Sequence, residues 1–196
     1  FQAKGWNRSK IVYDCILLAG VILYIGAAIV LDWRKAPPQN AADLCGLWIR
    51  ASGGCAFLML TLLLCIGPLA RLSRVFLPLL ANRRHFGVLT CIVALTHFAA
   101  VLGWYIADGH PFNLFVELTK WSDYSSFSTI SFKAYGFVAL LILLLLAATS
   151  HDYWLAFLTP RVWKQMHMLA YAAFGLVTIH VAKGLLQDER SPWIAT

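Results

Sequence analysis

The chain has 196 residues, of which 60% are hydrophobic and only 13% charged. Together with a mean hydropathy of +0.70, this composition excludes an ordinary soluble domain and indicates a membrane protein. The net charge of +7 could suggest nucleic-acid binding, but the basic residues cluster at the ends of apolar runs. Membrane lipid is therefore an expected partner and nucleic acid is not.

Five apolar runs are each long enough, at about 20 residues, to cross the hydrocarbon core of a bilayer. They are residues 11–31, 47–66, 86–106, 132–150 and 162–186. We predict an all-α, polytopic transmembrane bundle of five spans, with residues 1–196 forming a single transmembrane domain. The five cysteines contain no Cys-x-x-Cys pair and predict neither a disulfide framework nor an iron–sulfur site.

The basic residues predict the orientation of the bundle. If the spans alternate in direction, three basic segments fall on one side, which the positive-inside rule makes cytoplasmic. These segments contain Lys4, Arg8 and Lys10, then Arg71, Arg74, Arg83 and Arg84, then Arg161 and Lys164. We expect a multi-pass protein of a bacterial inner membrane with a cytoplasmic N-terminus.

The second span opens with an arginine, Arg50, that is followed by Gly53 and Gly54. One interpretation is that the Arg50 side chain extends to the membrane surface. The other is that it binds a carboxylate near the outer face, such as a haem propionate, because the planar guanidinium suits carboxylates. The glycines would let a flat macrocycle or another helix approach the backbone. Lys133, at the start of span four, is expected to extend to the surface.

Histidines in spans three and five are the main candidates for a functional site. His97 lies in span three, and His167 and His180 lie in span five. An ionisable side chain at bilayer depth marks a site by default, and neutral imidazole is a good axial ligand for haem iron. Spans three and five run in the same direction, so depth predicts two pairs, His97 with His180 and His85 with His167.

The azimuth of these residues supports the two pairs unequally. Twelve residues separate His85 from His97, a rotation of about 120°, while the thirteen between His167 and His180 give about 140° in the opposite sense. On two facing parallel helices, both pairs can converge only if they point to opposite sides of the line of contact. His85 is therefore either a ligand of a second haem or an interfacial histidine beside two arginines. The loop at 108–131 is rich in aromatic residues and is predicted to lie at the membrane interface.

Several short motifs resemble a known family. They are Gly-Pro-Leu-Ala-Arg at 67–71, Leu-Thr-His at 95–97 and Trp-Lys-Gln-Met-His at 163–167, with His180 thirteen residues after the last histidine. In this order they resemble the ferric-reductase-like transmembrane superfamily. Within it, the likeness is greatest to the MsrQ (YedZ) family, the haem-binding membrane subunits of methionine sulfoxide reductase systems.

The resemblance implies a b-type haem bundle that takes electrons from a cytoplasmic flavin reductase or the quinone pool and passes them to a periplasmic molybdenum enzyme. It also implies that His97 and His180 are haem ligands and that His167 is the family's further histidine. His85 is outside the family pattern, which leaves one or two haems open. A sixth span is expected after Pro192.

We therefore expect a membrane cytochrome b that acts as the electron-transfer subunit of an oxidoreductase. His97 and His180 would ligate one haem, and His167, with or without His85, a second. The chain has no Gly-x-Gly-x-x-Gly motif, so its donor would be a partner flavoprotein or a quinol. Two alternatives are a quinol-oxidising or metal-reducing cytochrome b, and a haem-free structural subunit of a larger membrane complex.

Overall fold

The computed structural model describes residues 8–111, 113–119 and 131–187, and within these ranges it is helical with no strand. The five longer helices are α1 (Arg8–Lys35), α2 (Ala41–Leu72), α4 (Arg83–Ala107), α6 (Phe132–Ala148) and α9 (Leu169–Gln187). The shorter ones are α3 (Leu77–Ala81), α5 (Asn113–Thr119), α7 (Asp152–Phe157) and α8 (Thr159–His167), with one 3₁₀ turn at Arg74–Phe76.

Four helical stretches in the described part of the chain are long and apolar enough to cross a membrane. They are Lys10–Lys35, Ala41–Leu72, Arg83–Ala107 and Thr159–Leu185. The protein is thus a multi-pass membrane protein. The fourth apolar run of the sequence forms α6, a shorter apolar helix of 17 residues.

Local sequence determines where the helices begin and end. Pro37 and Pro38 lie in the connection between α1 and α2, and the Asn40 side chain then caps α2 by accepting a 2.8 Å hydrogen bond from the backbone N–H of Asp43. Ser131 caps α6 in the same way. The run predicted as one span at 162–186 forms two consecutive helices, α8 and α9, which meet at Met168.

The bundle is built from two helix pairs, α2 with α4 and α6 with α9, and α1 packs outside the first pair. One apolar cluster joins α1, α2 and α4 through residues such as Ile25, Met59 and Val93. A second cluster joins the two pairs and contains Leu60, Cys91, Leu143 and Ala173. Large apolar side chains also cover the outer surface of the helices, as expected for contact with lipid.

Contacts between polar side chains show which helix ends lie together. Arg84 at the start of α4 pairs with Asp152 at the start of α7, and His85 pairs with Asp14 on α1. The connections after α2 and after α6 therefore lie at one end of the bundle, which we call the basic end because it carries Arg71, Arg74, Arg83 and Arg84. Arg50 and Asp32 pair at the other end, which we call the distal end.

Candidate functional site

A cavity of about 500 Å³ lies among α2, α4, α6 and α9, in the half of the bundle nearer the distal end. Most of its lining is apolar, with Phe57 and Leu60 on one helix pair and Leu140, Leu143 and Val177 on the other. Such a cavity is large enough for a cofactor and excludes water from most of its surface.

His97 on α4 and His180 on α9 meet across this cavity. Their ring centroids are 6.3 Å apart and their planes are nearly perpendicular, at 83°. Both residues line the cavity. The structure therefore brings together the first of the two histidine pairs that the sequence predicts.

Each of these two rings is held by a hydrogen bond to the backbone of a neighbouring helix. His97 Nδ1 lies 3.0 Å from the carbonyl oxygen of Ile49 on α2, and His180 Nδ1 lies 2.8 Å from that of Phe132 on α6. A carbonyl oxygen can only accept, so Nδ1 carries the proton in both rings. The lone pair of a neutral ring is then on Nε2, which is the ring nitrogen left available to a metal.

Two glycines make room for these rings. A β-carbon on Gly53 would lie 2.9 Å from His97 Nδ1, and one on Gly136 would lie 2.8 Å from His180 Nδ1. Neither position could take a larger residue without moving the ring. Gly53 therefore makes room for the His97 ring, while a β-carbon on Gly54 would lie 3.2 Å from the Tyr24 hydroxyl of α1.

The spacing of the two rings fits one metal atom between them. A metal–imidazole bond of about 2 Å on each side, plus about 1 Å from each nitrogen to its ring centre, places the centroids about 6 Å apart. Among the described residues, no group of three or more His, Cys, Asp or Glu side chains could hold a bare ion. The pair therefore suits a metal whose other ligands come from a cofactor.

Two basic residues lie at the rim of the cavity. Arg50 on α2 donates from Nε to Asp32, at 2.9 Å, and Lys133 on α6 donates from Nζ to the Tyr105 hydroxyl, at 2.6 Å. Both line the cavity, as does Tyr105, which is 3% exposed.

The other two predicted histidines lie toward the basic end and have different surroundings. His85 Nδ1 is 2.9 Å from a carboxylate oxygen of Asp14, which places this side of the ring against α1. The His167 ring stacks on Trp163, with centroids 3.8 Å apart, and its Nδ1 is 3.0 Å from the Trp163 carbonyl oxygen. Its Nε2 is buried and makes no hydrogen bond of ordinary geometry, although the backbone of Leu146 lies near the ring.

The sequence interpretation missed Gly136, Tyr105 and the position of Lys133 in the site. A pattern in the sequence could have identified Gly136 and Lys133. Arg50, Gly53 and His97 are related to Lys133, Gly136 and His180 by a single constant offset along the chain.

Together, the helical membrane bundle and its opposed histidines define a class of membrane proteins with a paired-imidazole site inside the lipid-spanning region. The family model of the ferric reductase-like transmembrane component matches residues 52–178, which is more than half of the chain. The chain belongs to this family. The matched range includes Gly53, His97 and His167 and ends two residues before His180. No curated protein and no solved structure matches the chain.

Proposed function

We propose that this protein is a membrane b-type cytochrome that moves single electrons across the bilayer, with His97 and His180 as the axial ligands of one haem. The observation that carries this proposal is the pair of imidazoles 6.3 Å apart across an apolar cavity, each with Nδ1 turned to a backbone carbonyl. Membership of the ferric-reductase-like family supports a role in membrane electron transfer.

Haem iron supplies one-electron chemistry, cycling between its ferric and ferrous forms. The chain's own residues set the conditions for that chemistry. The carbonyl oxygens of Ile49 and Phe132 fix the proton on Nδ1 and make Nε2 the ligand atom, which also raises its basicity. The apolar lining keeps water away from the two rings and disfavours charge inside the cavity.

A second haem would use the basic end of the bundle. The buried Nε2 of His167, which makes no hydrogen bond of ordinary geometry, is the candidate ligand atom there, because leaving such an atom unsatisfied costs about 1–3 kcal/mol. His85 is a weaker candidate, since its contact with Asp14 gives it a structural role between α1 and α4. We therefore propose one haem bound by two histidines, with His167 as the ligand of any second haem.

The direction of transfer and the partners follow the MsrQ-like interpretation. We propose that α6 is a fifth span, since 17 residues are near the lower limit for crossing a bilayer. The basic end would then face the cytoplasm. Electrons would enter there from a flavin reductase or a quinol and leave at the distal end toward a periplasmic oxidoreductase. In this proposal the donor is a protein or a quinol, the acceptor is a protein, and the chain itself lies in the bacterial inner membrane.

One observation favours a second candidate function, a haem-free structural subunit. Both histidines already hydrogen-bond across helices, His97 to Ile49 and His180 to Phe132. Such bonds would hold α4 to α2 and α9 to α6 without any cofactor. This alternative leaves the cavity between the rings unexplained.

Haem content distinguishes these possibilities. We expect purified protein to contain haem b, and His97→Ala and His180→Ala each to lose it, because either change leaves one axial position without its ligand. His85→Ala should leave the haem content unchanged. The measurement is a pyridine haemochrome assay of haem per chain in detergent-purified, monodisperse protein.

Three outcomes would change the account. Retention of all haem in both His97→Ala and His180→Ala would reject this pair as the ligands. A fall from two haems to one on His167→Ala would establish the second site at the basic end. Folded wild-type protein without a Soret band, after expression with ample haem, would favour the structural subunit.

A further inference from the structure

The two helix pairs of the bundle repeat one local arrangement. His97 on α4 contacts the carbonyl oxygen of Ile49 on α2, and His180 on α9 contacts that of Phe132 on α6. Both hydrogen bonds join residues that are 48 positions apart along the chain. α2 therefore corresponds to α6, and α4 corresponds to α9.

An approximate twofold axis relates the two helix pairs. The hydrogen bond from Lys133 to Tyr105 joins the start of α6 to the end of α4, so α2 and α6 both begin at the distal end. The two histidines meet across the cavity, and Leu60 and Leu143, which are equivalent by the same offset, belong to one apolar cluster. The axis therefore runs along the bundle and passes between the two histidine rings.

Haem b nearly shares this symmetry. A half-turn about the line from its propionate edge through the iron exchanges its two faces and its two side edges. One side edge carries two methyl groups, and the other carries a methyl and a vinyl group. The edge opposite the propionates carries one vinyl, on the side of the two methyls. A twofold cavity thus admits two orientations, which differ only in where the vinyl and methyl groups lie.

The cavity has two side walls, which the twofold axis exchanges. One wall lies where α4 meets α6, and the other lies where α9 meets α2. At the α4–α6 wall, Phe98 and Phe137 line the cavity with their ring centroids 6.0 Å apart. The equivalent lining residues of the α9–α2 wall are Val181 and Gly54. The first wall therefore presents two aromatic rings where the second presents a valine and a glycine.

One helical turn closer to the basic end, the difference between the walls is reversed. There Phe57 and Val177 line the α9–α2 wall, while their equivalents Leu140 and Ala94 line the α4–α6 wall. The Phe57 ring also stacks on Phe174 of α9, with centroids 6.0 Å apart. The wider part of one wall therefore lies diagonally across the cavity from the wider part of the other.

We propose that this asymmetry selects one of the two orientations of the haem. The cavity lies nearer the distal end, where charged propionates reach water instead of lipid. The edge with two methyls then lies against Phe98 and Phe137, and the side vinyl faces the valine and glycine of the other wall. The second vinyl lies beside Leu140 and not beside Phe57. This inference rests on the proposed function, since both orientations require a haem between the two histidines.

Proton nuclear magnetic resonance of the ferric protein reads the orientation directly. The unpaired electron of the iron shifts the haem methyl signals away from those of the protein, and each orientation gives its own set. Full-length protein expressed under haem limitation is loaded with haem b, or with a symmetric isomer in which a half-turn exchanges identical edges. We expect haem b to give one set in about tenfold excess or more, as for one carbon in an apolar pocket. The symmetric isomer should give a single set.

Substitutions that exchange residues between the walls should change this ratio. Phe98→Val installs the residue found at the equivalent position of α9 and should bring the ratio closer to one. Adding Val181→Phe should shift it further toward the opposite orientation. Phe137→Leu alters the same wall from α6 and should also lower the ratio. Phe86→Val is the matched control on α4, because Phe86 is buried in the cluster formed with α1 and α2, and it should keep the wild-type ratio.

Equal amounts of the two sets in the wild type would overturn the proposal, and so would a ratio that Phe98→Val or Phe137→Leu leaves unchanged. Nuclear Overhauser contacts from the Phe98 ring to a vinyl group of the dominant form would show the opposite selection and reject it. Two sets with the symmetric isomer would place the heterogeneity in the protein and also reject it. Folded wild-type protein that binds neither haem would instead reject the proposed function.

Discussion

At the scale of single residues, the site depends on two glycines and two carbonyl oxygens more than on the histidines' own helices. Each ring lies where its glycine provides space and its carbonyl accepts a hydrogen bond. These contacts set the planes of the rings at 83° to each other. The orientation of the two imidazole rings is therefore set by α2 and α6, which carry neither histidine.

Adding a methyl group at Gly53 should disturb the His97 ring. We expect Gly53→Ala to weaken haem binding by about 1–3 kcal/mol, the usual cost of overpacking a filled position. The electron paramagnetic resonance spectrum of the ferric protein should also change. Nearly perpendicular imidazole planes give a low-spin signal dominated by one low-field feature, and a displaced ring should shift that feature.

Gly67→Ala is the control for this experiment. Gly67 lies on the same helix, and a β-carbon there has no neighbour within 4 Å. This variant should keep the wild-type spectrum and affinity, as alanine is also the better helix former. An unchanged spectrum in Gly53→Ala would contradict the positioning role, and a three-line rhombic signal in the wild type would contradict the perpendicular planes.

At the scale of helices, the sequence predicted the depth of the histidines and the meeting of His97 with His180, but not the groups to which the rings hydrogen-bond. The equal depths of His97 and His180 follow from helix rise and alternating direction alone. Which face of each helix meets its neighbour depends on packing, and packing turns His85 Nδ1 toward Asp14 on α1. The acceptors of the His97 and His180 hydrogen bonds are backbone carbonyl oxygens, and the pattern of side chains in the sequence does not predict them.

The contact between His85 and Asp14 should stabilise α1 against the bundle without affecting the cofactor. We expect Asp14→Asn and His85→Gln each to lower the free energy of unfolding by about 1 kcal/mol, and the double variant to cost little more than either one. Thermal unfolding in detergent measures this coupling. Additive losses would show that the pair contributes nothing as a pair. A loss of haem in His85→Gln would support the ligand role instead.

At the scale of the whole molecule, the chain is two similar helix pairs around one cavity, with α1 outside. The apolar runs predicted the long helices because about 20 apolar residues have one stable arrangement in lipid. The repeat was harder to see, because Ile49 and Arg50 correspond to different residue types, Phe132 and Lys133. The shared hydrogen-bond geometry and the constant offset along the chain together make their equivalence plain.

The five-span topology predicts the side on which each connection lies. In a cysteine-free variant, Gln39→Cys and Gly109→Cys should react with a membrane-impermeant maleimide on intact cells. Asn82→Cys and Ser150→Cys should react only after permeabilisation, since α2 and α6 each cross once. Labelling of Ser150→Cys together with Gly109→Cys on intact cells would show that α6 does not span. If Asn82→Cys and Ser150→Cys reacted on intact cells, and Gln39→Cys and Gly109→Cys only after permeabilisation, the orientation of the bundle would be the reverse of the one predicted.

The most direct test of the central claim is a reduced-minus-oxidised optical spectrum of the purified, folded protein at wild-type sequence. We predict the sharp α-band of a low-spin b-type cytochrome, because the proposal gives the iron two axial nitrogens, from the opposed rings of His97 and His180. The spectrum should be unchanged by carbon monoxide when His97 and His180 hold the only haem, since both axial positions are filled. A featureless difference spectrum, or a single haem that binds carbon monoxide at once, would contradict the paired-imidazole site.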